Sequence, residues 1–257
     1  MSINKKTLII LSESEPCTLE DTFDIILVSD GGYITSKKMN LEIDVLIGDF
    51  DSITSDDLKE AKKRGIKIIP FPVEKDRTDG ELAVDYAISL GSNDITILGS
   101  FKEELDHALG NLFLLFKIDK FGIKSKLLTQ KYDIEIINKE KEYLGKVGQE
   151  LSLIPISETV EGLNIVGSRY NLVNAKVHMG QTLTLRNMIV KKRAKVYFNK
   201  GKVLSIATSK PTVYTNKILE YFSISNLFDY VSGSDLEGKH AEKYIIIQNV
   251  IKSLGIK

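Results

Sequence analysis

The stretch Asp44-Val45-Leu46-Ile47-Gly48-Asp49-Phe50-Asp51-Ser52-Ile53 sets the architecture of the first half of the chain. Its aliphatic run predicts a buried strand, which ends at a glycine followed by two aspartates. Asp49 and Asp51 would lie just past the carboxyl end of that strand, where open α/β sheets bind their ligands. Two carboxylates on one loop can hold a divalent cation and leave positions open for phosphate oxygens. The alternative is a solvated turn that precedes a helix at Ser55.

Apolar runs of this kind recur through the first half and alternate with helical patterns. The predicted strands are 7–11, 25–28, 45–47, 67–69, 95–98 and 126–128. Capping residues, glycine stops and apolar periodicity predict helices over 55–64, 78–90 and 106–120. Strands that alternate with helices predict an α/β domain over residues 1–132, with a mostly parallel sheet and helices on both faces.

The pattern changes near Ile134, where short segments separated by glycines begin. Strands are predicted over 151–156, 160–165, 169–173, 182–185 and 195–198. This spacing predicts a small β-sandwich or barrel over residues 133–206. Helical patterns return after Thr208, so a short α/β C-terminal fragment is predicted over residues 207–257.

The composition excludes several classes of protein. Lys plus Arg is 35 and Asp plus Glu is 35, a balance that argues against a dedicated nucleic-acid-binding protein. The single cysteine, Cys17, excludes an internal disulfide and fits a reducing cytoplasm. No apolar run approaches the roughly 20 residues that span a bilayer. We therefore expect a cytoplasmic protein without a membrane or nucleic-acid partner.

Acidic residues and glycines follow other predicted strands as well. Asp30 and Gly31 follow the strand over 25–28, Asp79 lies at the start of the helix over 78–90, and Asp106 comes after the strand over 95–98. Because the carboxyl ends of parallel strands meet at one edge of a sheet, these groups should gather there. A helix start favours anions, so the pattern predicts a metal–phosphate site. The sequence contains no Walker-type phosphate loop.

These segments resemble the thiamine pyrophosphokinase family, in order and spacing, over residues 7–206. In the first half the matching segments are Asp30-Gly31-Gly32, I-G-D-F-D-S-I at 47–53, F-P-V-E-K-D-R-T-D at 71–79 and L-D-H-A-L-G-N at 105–111. In the second half they are Leu153-Ile154-Pro155, Gly162-Leu163, G-S-R-Y-N-L at 167–172, and Gly180 with Arg186-Asn187.

The resemblance implies Mg²⁺-dependent transfer of a pyrophosphoryl group from ATP to thiamine, giving thiamine diphosphate and AMP. It implies that Asp49, Asp51 and Asp79 hold the magnesium ion and form the catalytic set together with Asp106. The residues that it implies for contacts with the nucleotide are Asp30, Gly31, Lys75, Arg77, Thr78, His107 and Asn111.

For the second domain, the resemblance implies thiamine binding and pairing of two chains in a homodimer, with the active sites at the interface. Tyr170 would lie against the cationic thiazolium ring, a cation–π contact of about 0.5–2 kcal/mol. Asn187 would offer hydrogen bonds near the pyrimidine. The dimer surface is predicted to include apolar residues of short strands, namely Val160, Leu163, Ile165 and Leu172.

Two departures from the family pattern bear on the site. The family's Gly-Gly-Arg before its Asp-His is replaced by Lys102-Glu103-Glu104, which removes a phosphate contact. The family's Ser-Asn is Arg186-Asn187 here. A long cation beside a cationic substrate is unfavourable unless the side chain of Arg186 points away.

Residues 207–257 resemble the C-terminal half of a haloacid-dehalogenase-type phosphatase of the phosphoglycolate class, with Thr208 or Ser209 and Lys243 at its motifs. This resemblance raises one alternative function, a phosphatase that uses Asp49 as nucleophile. Loss of the family's arginine before Asp106 raises a second, a catalytically weak nucleotide-binding protein. No Asp or Glu follows Lys243, and the phosphatase would leave the segments 71–79 and 151–187 unexplained. The fragment is therefore expected to be dispensable for the transfer reaction.

Overall fold

The computed structural model describes residues 5–72, 76–101 and 105–208. The chain divides into two compact units, Met1–Ile136 and Ile137–Lys257. The predicted boundary after residue 132 stays a prediction, and nearly all of the predicted fragment over 207–257 lies outside the described residues. Among the described helices, none combines the length and hydropathy that crossing a membrane requires.

The first unit alternates strands and helices, as the apolar runs predict. Its elements are β1 (Lys6–Ile10), β2 (Ile25–Ser29), α1 (Gly32–Lys38), β3 (Val45–Gly48), α2 (Ser55–Lys63), β4 (Lys67–Pro70), α3 (Asp79–Ser89), β5 (Asp94–Leu98), α4 (Leu105–Asp119), β6 (Lys124–Leu128) and β7 (Tyr132–Ile137). All six predicted strands form. The short α1 is not predicted by the sequence pattern, because seven residues offer too few apolar positions for a helical period to be visible.

The strands of this unit lie in the order β7-β6-β5-β1-β2-β3-β4. All neighbouring pairs from β6 to β4 are parallel, and β7 runs antiparallel to β6. After β4 the chain returns to the centre of the sheet and places β5 beside β1. Such a reversal of strand order marks the place at the carboxyl ends of the strands where ligands of open α/β sheets bind.

The central strands are buried on both faces, which explains their uninterrupted apolar sequences. Side chains with no exposed surface include Leu8, Ile9, Ile10, Leu27, Leu46, Ile47, Ile95, Ile97 and Leu98. Helix starts are capped by threonines: Thr78 accepts a hydrogen bond from Glu81 N, and Thr54 accepts one from Asp57 N. Such caps stabilise a helix by about 1 kcal/mol.

The described part of the second unit is built of strands. They are β8 (Glu140–Leu144), β9 (Glu150–Pro155), β10 (Thr159–Val166), β11 (Leu172–His178), β12 (Asn187–Met188), β13 (Arg193–Tyr197) and β14 (Val203–Thr208). One antiparallel layer has the order β11-β10-β13-β8, and β12-β9-β14 form a second. Both layers contribute to one buried cluster, with Leu153 and Val203 from one and Val160 and Val196 from the other.

Three predictions for this unit are wrong in detail. The segment 182–185 forms turns, and the strand β12 comes after it. The strand predicted over 169–173 begins only at Leu172, because the residues before it form a turn. The apolar residues predicted for a dimer surface belong to the unit's own core: Val160, Leu163 and Ile165 are at most 2% exposed, and Leu172 packs against them.

Candidate active site

Three acidic side chains meet at the carboxyl edge of the parallel sheet. Asp30 follows β2, Asp49 follows β3, and Asp79 is the first residue of α3. One carboxylate oxygen of each lies within 4.8 Å of the others. We call these three residues the acidic cluster. Three carboxylates at this spacing offer the oxygen ligands that a hard cation such as Mg²⁺ prefers, and Mg²⁺ keeps further positions for water and phosphate.

Asp30 is the buried member of the acidic cluster, with 2% of its surface exposed. Its Oδ2 accepts a hydrogen bond from Ser52 N at 3.1 Å, whereas its Oδ1 is buried and has no hydrogen-bond partner in the described parts of the chain. Burial raises the pKa of Asp30; hydrogen bonds from Ser52 oppose the rise and the Asp51 carboxyl adds to it. Such a buried, unsatisfied oxygen is costly, so a bound cation fits this position.

Asp51, which the sequence predicts as a third metal ligand, lies outside the acidic cluster. Its Oδ1 accepts a hydrogen bond from Ser52 Oγ at 2.9 Å, and its backbone N–H donates to Asp49 Oδ1 at 3.4 Å. Phe50, between the two aspartates, has φ +65°. This left-handed residue turns the chain between the two aspartates. The Asp51 carboxyl interacts with that of Asp30, and its role as a metal ligand stays a prediction.

Gly48 ends β3 because the neighbouring strand leaves no room for a side chain. Its φ is +153°, and a Cβ atom there would lie 2.9 Å from Asp30 Cβ. The glycine therefore allows Asp30 to approach the backbone of β3, where Asp30 N donates to Ile47 O at 2.9 Å.

We expect Gly48→Ala to reduce both stability and activity. The backbone strain costs about 1–3 kcal/mol, and the added methyl group displaces Asp30 from the acidic cluster. Urea denaturation and a turnover assay measure the two effects. Gly65→Ala is the matched control: Gly65 has φ +76° but open space around its Cβ position, so this variant should lose stability and keep its activity. Full activity of Gly48→Ala would contradict the role given to this glycine.

The residues predicted to contact phosphates lie around the start of α3. Thr78 caps the helix through its hydroxyl, and its predicted contact with the nucleotide stays a prediction. The guanidinium of Arg77 donates to Asp85 Oδ2 at 3.2 Å, and Asp85 also lies 2.6 Å from Lys117 Nζ. The Arg77 guanidinium thus pairs with a carboxylate of α3, and a phosphate would have to displace that carboxylate in order to bind Arg77. Lys75 lies outside the described residues.

Three predicted site residues lie on α4. Asp106 and His107 are in its exposed first turn, whereas Asn111 faces α3. Asp106 is exposed, and its Oδ1 accepts a hydrogen bond from His107 N at 2.8 Å. Asn111 lies against the start of α3, with its Oδ1 3.8 Å from the Cβ position of Gly80. The segment 102–104, where the family's arginine is replaced, lies outside the described residues.

Ser12 lies beside Gly31, at the edge of the sheet where the acidic cluster forms, and the sequence patterns do not identify it. A Cβ atom on Gly31 would lie 3.4 Å from the side chain of Ser12 and 3.5 Å from that of Ser52. Ser12 follows β1, the central strand, and its N–H donates to Ser29 Oγ at 3.2 Å. The position of Ser12 after a central strand is the one sequence feature that points to the site. A single serine is too common a residue to stand out as a motif.

In the second unit, the turn over 168–171 presents Tyr170 with 64% of its surface exposed, whereas Asn187 is 4% exposed. Arg186 has φ +53°, and its N–H donates to Ser152 Oγ at 3.0 Å. The Arg186 guanidinium lies 3.7 Å from Glu150 Oε1. This ion pair offsets the extra cation beside the predicted thiamine site, although both groups are exposed and such pairs are weak.

A parallel sheet with an acidic cluster at its carboxyl edge, followed by a β-rich unit, defines an α/β protein of two units whose clustered carboxylates could hold a divalent cation. Two family models match the chain: "Thiamin pyrophosphokinase, catalytic domain" over residues 18–127 and "Thiamin pyrophosphokinase, vitamin B1 binding domain" over residues 132–203. The chain belongs to the thiamine pyrophosphokinase family, and it is an enzyme of that class.

Individual relatives agree. Thiamine pyrophosphokinase of Bacillus subtilis is 32% identical over 164 residues, which cover 63% of this chain and 77% of that protein. The crystal structure of that enzyme aligns with a TM-score of 0.70 and 28% identity, covering 80% of this chain and 100% of the other. Thiamin pyrophosphokinase from Geobacillus thermodenitrificans aligns with a TM-score of 0.67 and 25% identity, covering 80% and 98%. The family prediction is confirmed; the phosphatase resemblance of residues 207–257 stays a prediction.

Proposed function

We propose that the protein transfers a pyrophosphoryl group from ATP to the hydroxyl of thiamine, with Mg²⁺ held by the acidic cluster. The observation that carries this proposal is the meeting of Asp30, Asp49 and Asp79 within 4.8 Å, together with the buried, unsatisfied Oδ1 of Asp30. Membership of the thiamine pyrophosphokinase family supports the donor, the acceptor and the products, thiamine diphosphate and AMP.

In this reaction the thiamine hydroxyl oxygen attacks the β-phosphorus of ATP and loses its proton. The bond from the β-phosphorus to the oxygen that bridges it to the α-phosphorus breaks, AMP leaves, and negative charge develops on phosphate oxygens. Bound Mg²⁺ supplies the neutralising charge. The acidic cluster would hold the ion in a rigid position, because two of its members follow adjacent strands and the third begins a helix. Asp106 would orient the reacting groups from the first turn of α4, and Lys75 and Arg77 would contact phosphates. Positioning and neutralisation account for most catalysis of this kind.

The acceptor would bind in the second unit, against the exposed ring of Tyr170. The thiazolium of thiamine carries a positive charge, and an aromatic face attracts such a cation by about 0.5–2 kcal/mol.

A direct assay tests the proposal. The protein is incubated with ATP, Mg²⁺ and thiamine, and AMP and thiamine diphosphate are quantified. We expect equal amounts of the two products, and none without thiamine. Release of inorganic phosphate from phosphate esters, without AMP formation, would favour the phosphatase that uses Asp49. Binding of ATP without turnover would favour the weak nucleotide-binding protein. The family assignment does not favour either alternative.

We also propose a homodimer that pairs through the second unit. The residues first predicted for the interface are in the core, but other apolar side chains of this unit are exposed. They are Leu144, Val166, Tyr170, Val173, Met179, Leu183, Leu185, Val190 and Tyr197. Exposed apolar surface of this extent is typical of an interaction surface. Light scattering at micromolar concentration should give twice the mass of the chain, and a monomer mass would refute the proposal.

A further inference from the structure

We propose that Asn187 acts on thiamine binding as a positioning residue: it holds the turn that carries Tyr170 and makes no hydrogen bond to the substrate. The inference rests on the proposed function, since it concerns the same acceptor site. It replaces the direct contact that the sequence comparison implies for Asn187.

The side-chain amide of Asn187 is fully occupied by the protein itself. Its Nδ2 donates to Tyr170 O at 2.7 Å and to Ser168 Oγ at 3.2 Å. Its Oδ1 accepts from Tyr170 N at 3.0 Å and from Met188 N at 2.8 Å. An asparagine side chain has two N–H donors and an oxygen with two lone pairs, so all four positions are used.

Burial makes these hydrogen bonds costly to exchange for bonds to a ligand. Asn187 is 4% exposed and Ser168 is 3% exposed. A bond from Asn187 to thiamine would take a hydrogen bond away from a part-buried backbone group of Tyr170 or Met188, or from the buried Ser168 hydroxyl. That loss costs more than one new hydrogen bond returns. Asn187 is therefore a structural partner of the turn.

The turn over 168–171 is docked on the chain around Asn187 by further contacts. Arg169 N donates to Met188 O at 2.7 Å, and Ser168 forms an isolated bridge with Ile189. Within the turn, Ser168 N donates to Asn171 Oδ1 at 3.2 Å. Asn187 thus bonds both the N–H and the C=O of Tyr170, while the ring of that residue stays exposed. A ring fixed in advance loses less conformational entropy when a ligand binds.

A double-mutant cycle tests the proposal. The variants are Asn187→Ala, Tyr170→Ala and their combination, and the measured quantities are kcat and the KM for thiamine and for ATP. We expect each single variant to raise the KM for thiamine about tenfold, with kcat and the KM for ATP within about twofold. The double variant should be no worse than Tyr170→Ala alone, because Asn187 acts only through Tyr170. Additive effects would overturn the proposal and indicate a direct contact.

Asn164→Ala is the matched control, because Asn164 also pins a backbone segment of the same unit: its Nδ2 donates to Gly162 O at 2.7 Å and its Oδ1 accepts from Asn174 N at 3.0 Å. This variant should leave the KM for thiamine unchanged. A KM raised as much as in Asn187→Ala would overturn the proposal, since any loosening of the unit would then suffice.

Hydrogen exchange of the protein without substrates gives a readout that does not depend on turnover. The amide of Tyr170 should exchange at least about tenfold faster in Asn187→Ala. Asn187→Asp replaces the Nδ2 donor by an oxygen that faces Tyr170 O, so it should also speed exchange at Tyr170, and it provides a second variant if the alanine variant does not fold. Unchanged exchange in Asn187→Ala would overturn the proposal. If the parent protein formed no thiamine diphosphate, the proposed function would be wrong. The hydrogen-exchange rate of Tyr170 would still show whether Asn187 holds the turn.

Discussion

Asp49→Asn is expected to reduce the rate of pyrophosphoryl transfer about a thousandfold, because loss of a metal carboxylate costs several kcal/mol in the transition state. The fold should persist, since Asp49 is only partly buried and lies after the end of β3. Turnover at saturating Mg²⁺ and the far-ultraviolet circular dichroism spectrum measure the two properties. Near-normal turnover at high Mg²⁺ would contradict the metal role of Asp49.

Asp51→Asn is the matched control on the same loop. Because Asp51 lies outside the acidic cluster and accepts from Ser52, we expect a loss of about tenfold or less, the size of one weakened hydrogen bond. A loss as large as that of Asp49→Asn would show that Asp51 is a metal ligand after all, as the sequence pattern predicts. The pair of variants therefore decides between the pattern and the geometry.

Asp30→Asn is expected to have opposite effects on stability and on activity. In the metal-free protein the substitution removes a buried carboxylate that faces the Asp51 carboxyl, and the amide can keep the hydrogen bond from Ser52 N. We therefore expect the free energy of unfolding to rise by about 1–2 kcal/mol. Turnover should fall at least a hundredfold, because the cation loses its buried ligand.

Thermal unfolding with and without Mg²⁺ separates these effects. Mg²⁺ should raise the Tm of the parent protein, since it binds the folded state, and should leave the Tm of Asp30→Asn nearly unchanged. Ser29→Ala is a control on the preceding residue of β2, outside the acidic cluster, and it should keep the Mg²⁺-dependent shift. A parent protein whose Tm does not respond to Mg²⁺, or an Asp30→Asn variant that responds fully, would contradict the proposed site.

Much of the first unit could be predicted from its residues. The apolar runs identify all six parallel strands: the central ones are buried on both faces, and the edge strand β4 carries the partly buried Ile68 and Ile69. Thr78 caps α3 as its spacing to Glu81 predicts. The expectation that Asp30, Asp49 and Asp79 share one edge follows from the parallel arrangement alone. Apolar runs, caps and strand ends are properties of short segments, so they can be identified without the tertiary structure.

Other features depend on contacts between residues that are distant in sequence. Strict alternation would place Val160 and Ile165, which are five residues apart, on opposite faces of a strand. Register shifts within β10 bring both into one buried cluster, to which β9 and β14 also contribute. The place of Asp30 in the acidic cluster depends on its close approach to Gly48, where a side chain would not fit. The aspartates of the motif therefore predict metal-binding chemistry, but they do not predict which carboxylates lie together in the folded chain.

The amino-acid sequence determined the family, the parallel sheet and the edge at which the acids gather, because apolar runs, caps and strand ends are properties of short segments. Only the tertiary structure decided which three carboxylates meet and whether Asn187 has a hydrogen bond to spare. Both depend on partners that the fold brings together: Asp30 meets Ser52, 22 residues later, and Asn187 meets Tyr170, 17 residues earlier. Burial then determines the outcome, because a buried polar group must keep the partners that the fold provides.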